Sequence, residues 1–174
     1  MPELPEVETV MRGLMPVMTS RRIVTAEQRR ADLRTPFPPQ FAERLRGRRV
    51  RAMRRRAKYI LADLSGDETL VMHLGMTGRF TITQKSGARG NQPGDFAHAA
   101  GGDAAHDHVV LHMEGGATIT YNDARRFGCM DLVPTNALDQ HPMFCDLGIE
   151  PLDGALTAEF LAEAAAGRTT DLKA

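Results

Sequence analysis

Apolar positions recur with two different periods along this chain. From Leu4 to Met18, Val7, Val10, Met11, Leu14 and Met18 follow the i, i+3, i+4, i+7 spacing of one helical face. Pro5 suits the first turn, and the early glutamates suit the positive end of the helix dipole. Beyond it the pattern shortens into runs with strand character at Ile23–Gln28, Arg48–Met53, Lys58–Leu64, Thr69–Leu74, Arg79–Thr83, His108–Met113, Ala117–Asn122 and Gly128–Val133. Turn formers separate them, as in Leu64-Ser65-Gly66-Asp67 and Glu114-Gly115-Gly116. Many short strands at close spacing favour a sandwich or barrel over alternating βαβ units. A short helix is predicted over Pro39–Leu45. Another is predicted to start at Thr157, which caps a run containing Phe160, Leu161 and Ala164.

The predicted fold is therefore α+β: a β-sandwich flanked by an N-terminal helix. Its expected extent is residues 2–134, with a flexible Gly- and Ala-rich insertion at 85–105. Residues 135–155 read as a linker, and 156–174 as the first helix of a further module. The chain stops at Ala174 soon after that helix begins, which reads as a truncation.

Composition narrows the setting. Of 174 residues, 42% are hydrophobic and 25% charged, as in a globular protein with one sizeable core. No run approaches the roughly 18 apolar residues of a membrane helix. Glu3, Glu6 and Glu8 stand where a signal peptide would be basic. Two cysteines, Cys129 and Cys145, make neither a disulfide framework nor a zinc site, and a reducing cytoplasm is the expected compartment.

The net charge of zero hides a split. Residues 1–60 hold 15 Lys/Arg against 6 Asp/Glu, and the rest hold 7 against 16. Such asymmetry fits a polyanion-binding surface, or simply a solvated basic face.

The opening Met1-Pro2-Glu3-Leu4-Pro5-Glu6 carries candidate chemistry. Removal of Met1 leaves Pro2 with a secondary amine, and an α-amine titrates near about 7.7–8.0. Such an amine can attack a sugar carbon and form a Schiff base. Glu3 is placed beside it, and Glu6 follows three residues later on the same helical face. Equally, Pro2 and Pro5 serve as helix starters. Lys58 closes an arginine run and on charge alone is one more phosphate contact. Met76 and Phe127 alone read as core residues. For His106-Asp107-His108, the expectation is that the two histidines point to opposite faces and bind no metal.

The opening string resembles that of the formamidopyrimidine-DNA glycosylase family. The likeness continues in order through Arg55-Arg56-Ala57-Lys58-Tyr59, His73-Leu74-Gly75-Met76-Thr77-Gly78-Arg79, His106-Asp107-His108-Val109, Asp123-Ala124-Arg125-Arg126-Phe127-Gly128 and Leu147-Gly148-Ile149-Glu150-Pro151-Leu152. It implies a bifunctional base-excision repair enzyme, both DNA glycosylase and abasic-site lyase, acting on oxidised purines such as 8-oxoguanine and formamidopyrimidines. Pro2 would be the nucleophile, Glu3 the acid assisting sugar opening, and Lys58 the group serving strand cleavage by β,δ-elimination. Glu6, by its spacing in the opening string, is expected as a further catalytic carboxylate.

Met76, Arg125 and Phe127 match the family's gap-filling residues. A base taken out of the stack leaves a hole and an orphaned partner, which an apolar wedge and a guanidinium can occupy. His106 matches a DNA-contacting position, and Arg168 and Lys173 fall where phosphate contacts of the next module begin. The resemblance implies damaged double-stranded DNA as partner, a monomer, and a bacterial cytoplasm near the nucleoid. It implies no cofactor in this stretch, since the family's four-cysteine zinc finger would lie beyond it. The family usually has Pro where Ala124 stands, and its 85–105 counterpart is shorter. Two other readings stay open: an endonuclease VIII-like enzyme for oxidised pyrimidines, and a catalytically weak DNA-binding fragment.

Overall fold

A computed structural model describes residues 2–84, 93 and 103–169. Helix α1, Leu4–Met18, buries the predicted stripe of Val7, Val10, Met11, Leu14 and Met18. Eight strands follow among the described residues: β1 (Ile23–Gln28), β2 (Val50–Arg56), β3 (Tyr59–Leu64), β4 (Glu68–His73), β5 (Arg79–Thr83), β6 (Asp107–Met113), β7 (Thr118–Asn122) and β8 (Cys129–Pro134). Helix α2, Phe41–Leu45, lies between β1 and β2, and α3, Ala158–Ala165, comes last.

The strands form two four-stranded sheets, ordered β1-β6-β7-β5 and β2-β3-β4-β8, with every pairing antiparallel. Side chains alternate across each strand, so each sheet has one face to give to a shared core. Ile60, Ala62, Leu70 and Met72 of one sheet and Phe80, Val109, Leu111 and Tyr121 of the other do so, and the α1 stripe joins them. The fold is α+β, as the strand and helix patterns imply.

The second face of the β2-β3-β4-β8 sheet is also covered. Leu61, Val71 and Val133 point away from the main core and pack with Leu138 and Phe144. A 3-10 turn over Thr135–Gln140 brings in Leu138, and the loop after it brings in Phe144. Residues that read as a linker are thus docked onto the sheet at least as far as Glu150, whose carboxylate is bound by β2. Their few apolar side chains, spaced irregularly, carry no period from which packing could be read.

Lys58 is not a strand residue. The β2–β3 ladder ends at Arg56↔Tyr59, leaving Ala57 and Lys58 as a two-residue turn, with Ala57 at a left-handed φ of 49°. On α3, the Thr157 hydroxyl accepts the Phe160 N–H at 3.1 Å, as the capping pattern predicts. Leu161, 50% exposed, and Phe160, 40% exposed, face solvent. Pro93 is buried, and a side chain at Gly13 of α1 would come within 2.5 Å of it. Of the 85–105 insertion, residues 85–92 and 94–102 lie outside the described residues. No helix among the described residues is long and apolar enough to cross a membrane.

Candidate active site and nucleic-acid interface

The sequence places Pro2 and Glu3 at the entry to α1, and the fold brings the β2–β3 turn to them. Pro2 is buried. Next to it Glu3 extends outward, and its Oε2 lies 2.7 Å from Lys58 Nζ. The hydrogen bond and charge of Lys58 hold the Glu3 carboxyl below the usual glutamate range. Glu6 turns back to accept the Glu3 backbone N–H, as the third residue of a capping arrangement does. Glu6 thereby acts locally, fixing the backbone from which Pro2 and Glu3 project.

A partly buried ionic clamp sets the Lys58 turn. Glu150 accepts the Ala57 N–H together with Arg55 Nη1 and Arg56 Nη1, both at 2.9 Å. Arg55 Nη1 also donates to the Ala57 carbonyl at 2.7 Å, and its Nε donates to Glu8 of α1 at 3.1 Å. Arg56 donates onward to the Leu147 and Gly148 carbonyls. Burial works to raise the Glu150 pKa, but the Ala57 N–H and the two guanidiniums together bring it below the usual range. Helix α1, the turn and the 147–150 loop are therefore tied at one point. Beside it opens a cleft of about 200 Å³ bounded by Leu4, Ala57, Lys58 and Ile149.

The basic segment behaves differently from a free polyanion surface. Arg49 pairs with Glu114, Arg51 with Asp67, Arg54 with Asp63, and Arg44 with Glu68, while Arg55 and Arg56 share the clamp. Much of the charge split along the chain is cancelled inside the fold. Antiparallel pairing sets basic β2 beside β3, which carries Asp63, and local composition does not reveal such partners.

The second group forms at the same end of the β2-β3-β4-β8 sheet as the Lys58 turn, since Tyr59 pairs with His73 and His73 with Cys129. Gly75 adopts φ +61°, and a Cβ there would lie 2.3 Å from the Phe127 carbonyl carbon, so the 74–78 turn and the 123–128 loop touch backbone to backbone. Asp123, fully buried, holds the loop. Its Oδ2 accepts the Gly128 N–H at 2.9 Å and the Tyr121 hydroxyl at 3.3 Å, and its Oδ1 accepts the Thr77 hydroxyl. Thr77 Oγ1 in turn accepts the Arg125 N–H at 3.2 Å. On this scaffold Met76 and Phe127 stand 36% and 43% exposed, and the Arg125 guanidinium lies 4.6 Å from the Phe127 ring centre. These apolar side chains are outside the core, on one edge, as the family pattern implies and hydropathy alone does not.

His106 stands in a 3-10 turn, Ala104–His106, just before β6, and its carbonyl accepts the Asp123 N–H at 3.0 Å. The histidine expectation needs correction: residues two apart on a strand share a face, and the His106 and His108 rings lie 6.5 Å apart. His108 is buried with Nε2 2.8 Å from the Asp123 carbonyl oxygen, a structural position. Among the described residues, no three His, Cys, Asp or Glu side chains gather to hold a metal ion. Arg168 follows α3 and is exposed, with its N–H on the Ala165 carbonyl. Lys173 lies outside the described residues, as does Met1. Sequence reasoning missed the clamp on Glu150 and the organising role of Asp123. Both residues sit inside the family-like blocks, but only the fold brings them to their partners.

Residues 1–130 match the model of the formamidopyrimidine-DNA glycosylase N-terminal domain. The chain belongs to the formamidopyrimidine-DNA glycosylase family. All of it aligns with proteins named formamidopyrimidine-DNA glycosylase from Cereibacter sphaeroides, at 59% identity, and Azorhizobium caulinodans, at 57%, covering 59% of each. It thus spans about three-fifths of these relatives' length. Among solved structures, Lactococcus lactis Fpg bound to abasic-site DNA superposes with a TM-score of 0.78 at 24% identity, covering 99% of this chain and 59% of that one. The G226P mutant of that enzyme with Fapy-dG-containing DNA gives 0.77 at 26%, covering 99% and 58%.

Proposed function

We propose that this chain carries the catalytic part of a base-excision DNA glycosylase and abasic-site lyase for oxidised purines, with Pro2 as nucleophile. The observation that carries the reading is the Glu3–Lys58 pair, set beside Pro2 by the Glu150 clamp. The exposed Met76/Arg125/Phe127 edge adds the means to hold an opened duplex, and the family's high-identity relatives supply the activity class.

The chemistry follows from the groups present. The unprotonated Pro2 amine attacks C1′ of the damaged nucleotide, the C1′–base bond breaks, and the base departs taking a proton from solvent. Attack leaves a proton on the Pro2 nitrogen. Glu3, kept ionised by Lys58, is in the right state to accept that proton and return it to O4′ as the sugar opens to an iminium. Loss of a C2′ proton then expels the 3′ phosphate, and a second elimination expels the 5′ phosphate. Water hydrolyses the iminium and frees Pro2. Lys58, 31% exposed, presents a cation to the departing phosphates. Met76 and Phe127 fill the vacated stack, and Arg125 meets the orphaned base.

Single-turnover release from duplexes carrying 8-oxoguanine or an oxidised pyrimidine tests the reading. Preferential release of 8-oxoguanine supports it. Preferential release of the pyrimidine would favour the endonuclease VIII-like alternative, and binding without release would leave a DNA-binding fragment.

A further inference from the structure

A third segment reaches the Met76/Phe127 edge. The chain between β1 and α2 doubles back on itself: Asp32 bridges to Pro36, Leu33 N–H donates to the Thr35 carbonyl at 3.0 Å, and Leu33 is buried in the core. The tip of this small hairpin is Arg34. Its backbone N–H donates to the Gly128 carbonyl at 3.0 Å, which pins the tip to the loop that carries Arg125 and Phe127. Arg34, His73, Gly75, Met76 and Phe127 line one cleft of about 350 Å³.

What separates Arg34 from its neighbours is charge balance. Arg29 pairs with Glu27 at 3.0 Å, while Arg30 and Arg126 each reach Asp32 at 3.6 Å. The Arg34 side chain is exposed and has no carboxylate partner among the described residues. Its charge is instead felt by His73, whose pKa is lowered by burial first and by the Arg34 and Lys58 charges after it. The Gly75 N–H donates to His73 Nδ1 at 3.1 Å, which fits a neutral ring. A fixed, uncompensated guanidinium on the rim of an apolar cleft is suited to an anion whose attached group lies over apolar surface.

We propose that Arg34 is a further DNA contact, holding a backbone phosphate beside the Met76/Phe127 edge. The inference rests on the DNA-directed reading above and adds a residue to it. A phosphate fixed there would anchor the strand next to the opened stack, so that kinking works against a held backbone.

The test is binding of the full chain to a duplex with a tetrahydrofuran abasic site, across a salt range of roughly 50–200 mM KCl. Arg34→Ala should reduce the slope of log K against log salt by about 0.9, the share of one phosphate, and weaken binding by roughly five- to tenfold at about 0.1 M. Arg34→Lys should restore most of the slope, since a point charge suffices for a phosphate. Arg30→Ala, which removes a cation already paired, should move the slope by less than half as much. Arg34→Gln covers the case in which the alanine variant melts early. An unchanged slope in a variant that melts like the parent overturns the proposal while the DNA reading stands. Absence of duplex binding by the parent chain overturns both.

Discussion

The carboxylate of Glu3 and the ammonium of Lys58 meet at 2.7 Å although 54 residues lie between them in the chain. One stands at the entry to a helix and the other in the turn of a hairpin. Neither is deeply buried, so the contact is not explained as core stabilisation. Its geometry depends on Glu6 on one side and on the Ala57–Glu150 bond on the other.

Removing the cation should therefore change how Glu3 titrates. In the parent chain Glu3 stays ionised to a pH below the ordinary glutamate range, because Lys58 favours the charged form. Lys58→Met should raise its pKa toward the ordinary value, read by carboxyl-carbon NMR titration. Incision should fall by more than binding does. Equal losses in both would reduce Lys58 to a simple phosphate contact.

Glu150 is predicted to matter for the site without touching the reacting atoms. Glu150→Gln keeps the shape but loses a carboxylate that two arginines and a backbone N–H share, a loss of about 1.5–3 kcal/mol by the scale of charged hydrogen bonds. The sign with pH follows from its lowered folded pKa. Its contribution is present above the ordinary glutamate pKa and is lost as pH falls through the folded value. Thermal melts of parent and variant should converge in acid. The variant's Lys58-dependent incision should drop even at temperatures where it is fully folded.

Much of the architecture was legible in the sequence, and the reasons are physical. The α1 stripe follows from hydrophobic period because the helix buries one face, and the eight strands are legible as short apolar runs between turn formers, with β3, β4 and β8 burying both faces. The Thr157 cap is a local pattern and was readable for the same reason. What could not be read depended on distant partners. Glu150 shows its role only when the 135–150 segment folds back over the sheet, and the arginines of β2 are neutralised by acids brought close by strand pairing or by docked loops. Met76 and Phe127 look apolar and hence buried. Their exposure is a consequence of Gly75 and Asp123 locking two turns together, which hydropathy cannot express.

The Phe127 edge can be separated from the chemistry. Phe127→Ala should impair processing of a lesion in duplex DNA while sparing cleavage of a single-stranded abasic site, where no stack must be filled. Equal impairment of both substrates would assign Phe127 to the fold.

Asp123 is predicted to be the structural source of that edge. Asp123→Ala leaves the buried Gly128 N–H unsatisfied, at about 1–3 kcal/mol, takes the acceptor from the half-buried Thr77 hydroxyl, and leaves the Tyr121 hydroxyl only the His73 carbonyl at 3.4 Å. A large fall in melting temperature with loss of duplex processing is expected. A melt within a degree or two of the parent would show that the loop is held by other contacts.

The proposed chemistry turns on Pro2 as a covalent nucleophile, and borohydride reduction during reaction with abasic-site DNA tests this most directly. The expected product is a stable protein–DNA adduct whose attachment, mapped by peptide mass analysis, lies on the amino nitrogen of Pro2, and which is lost when Met1 is retained. Full-yield trapping with Met1 retained, or attachment at Lys58, would contradict it.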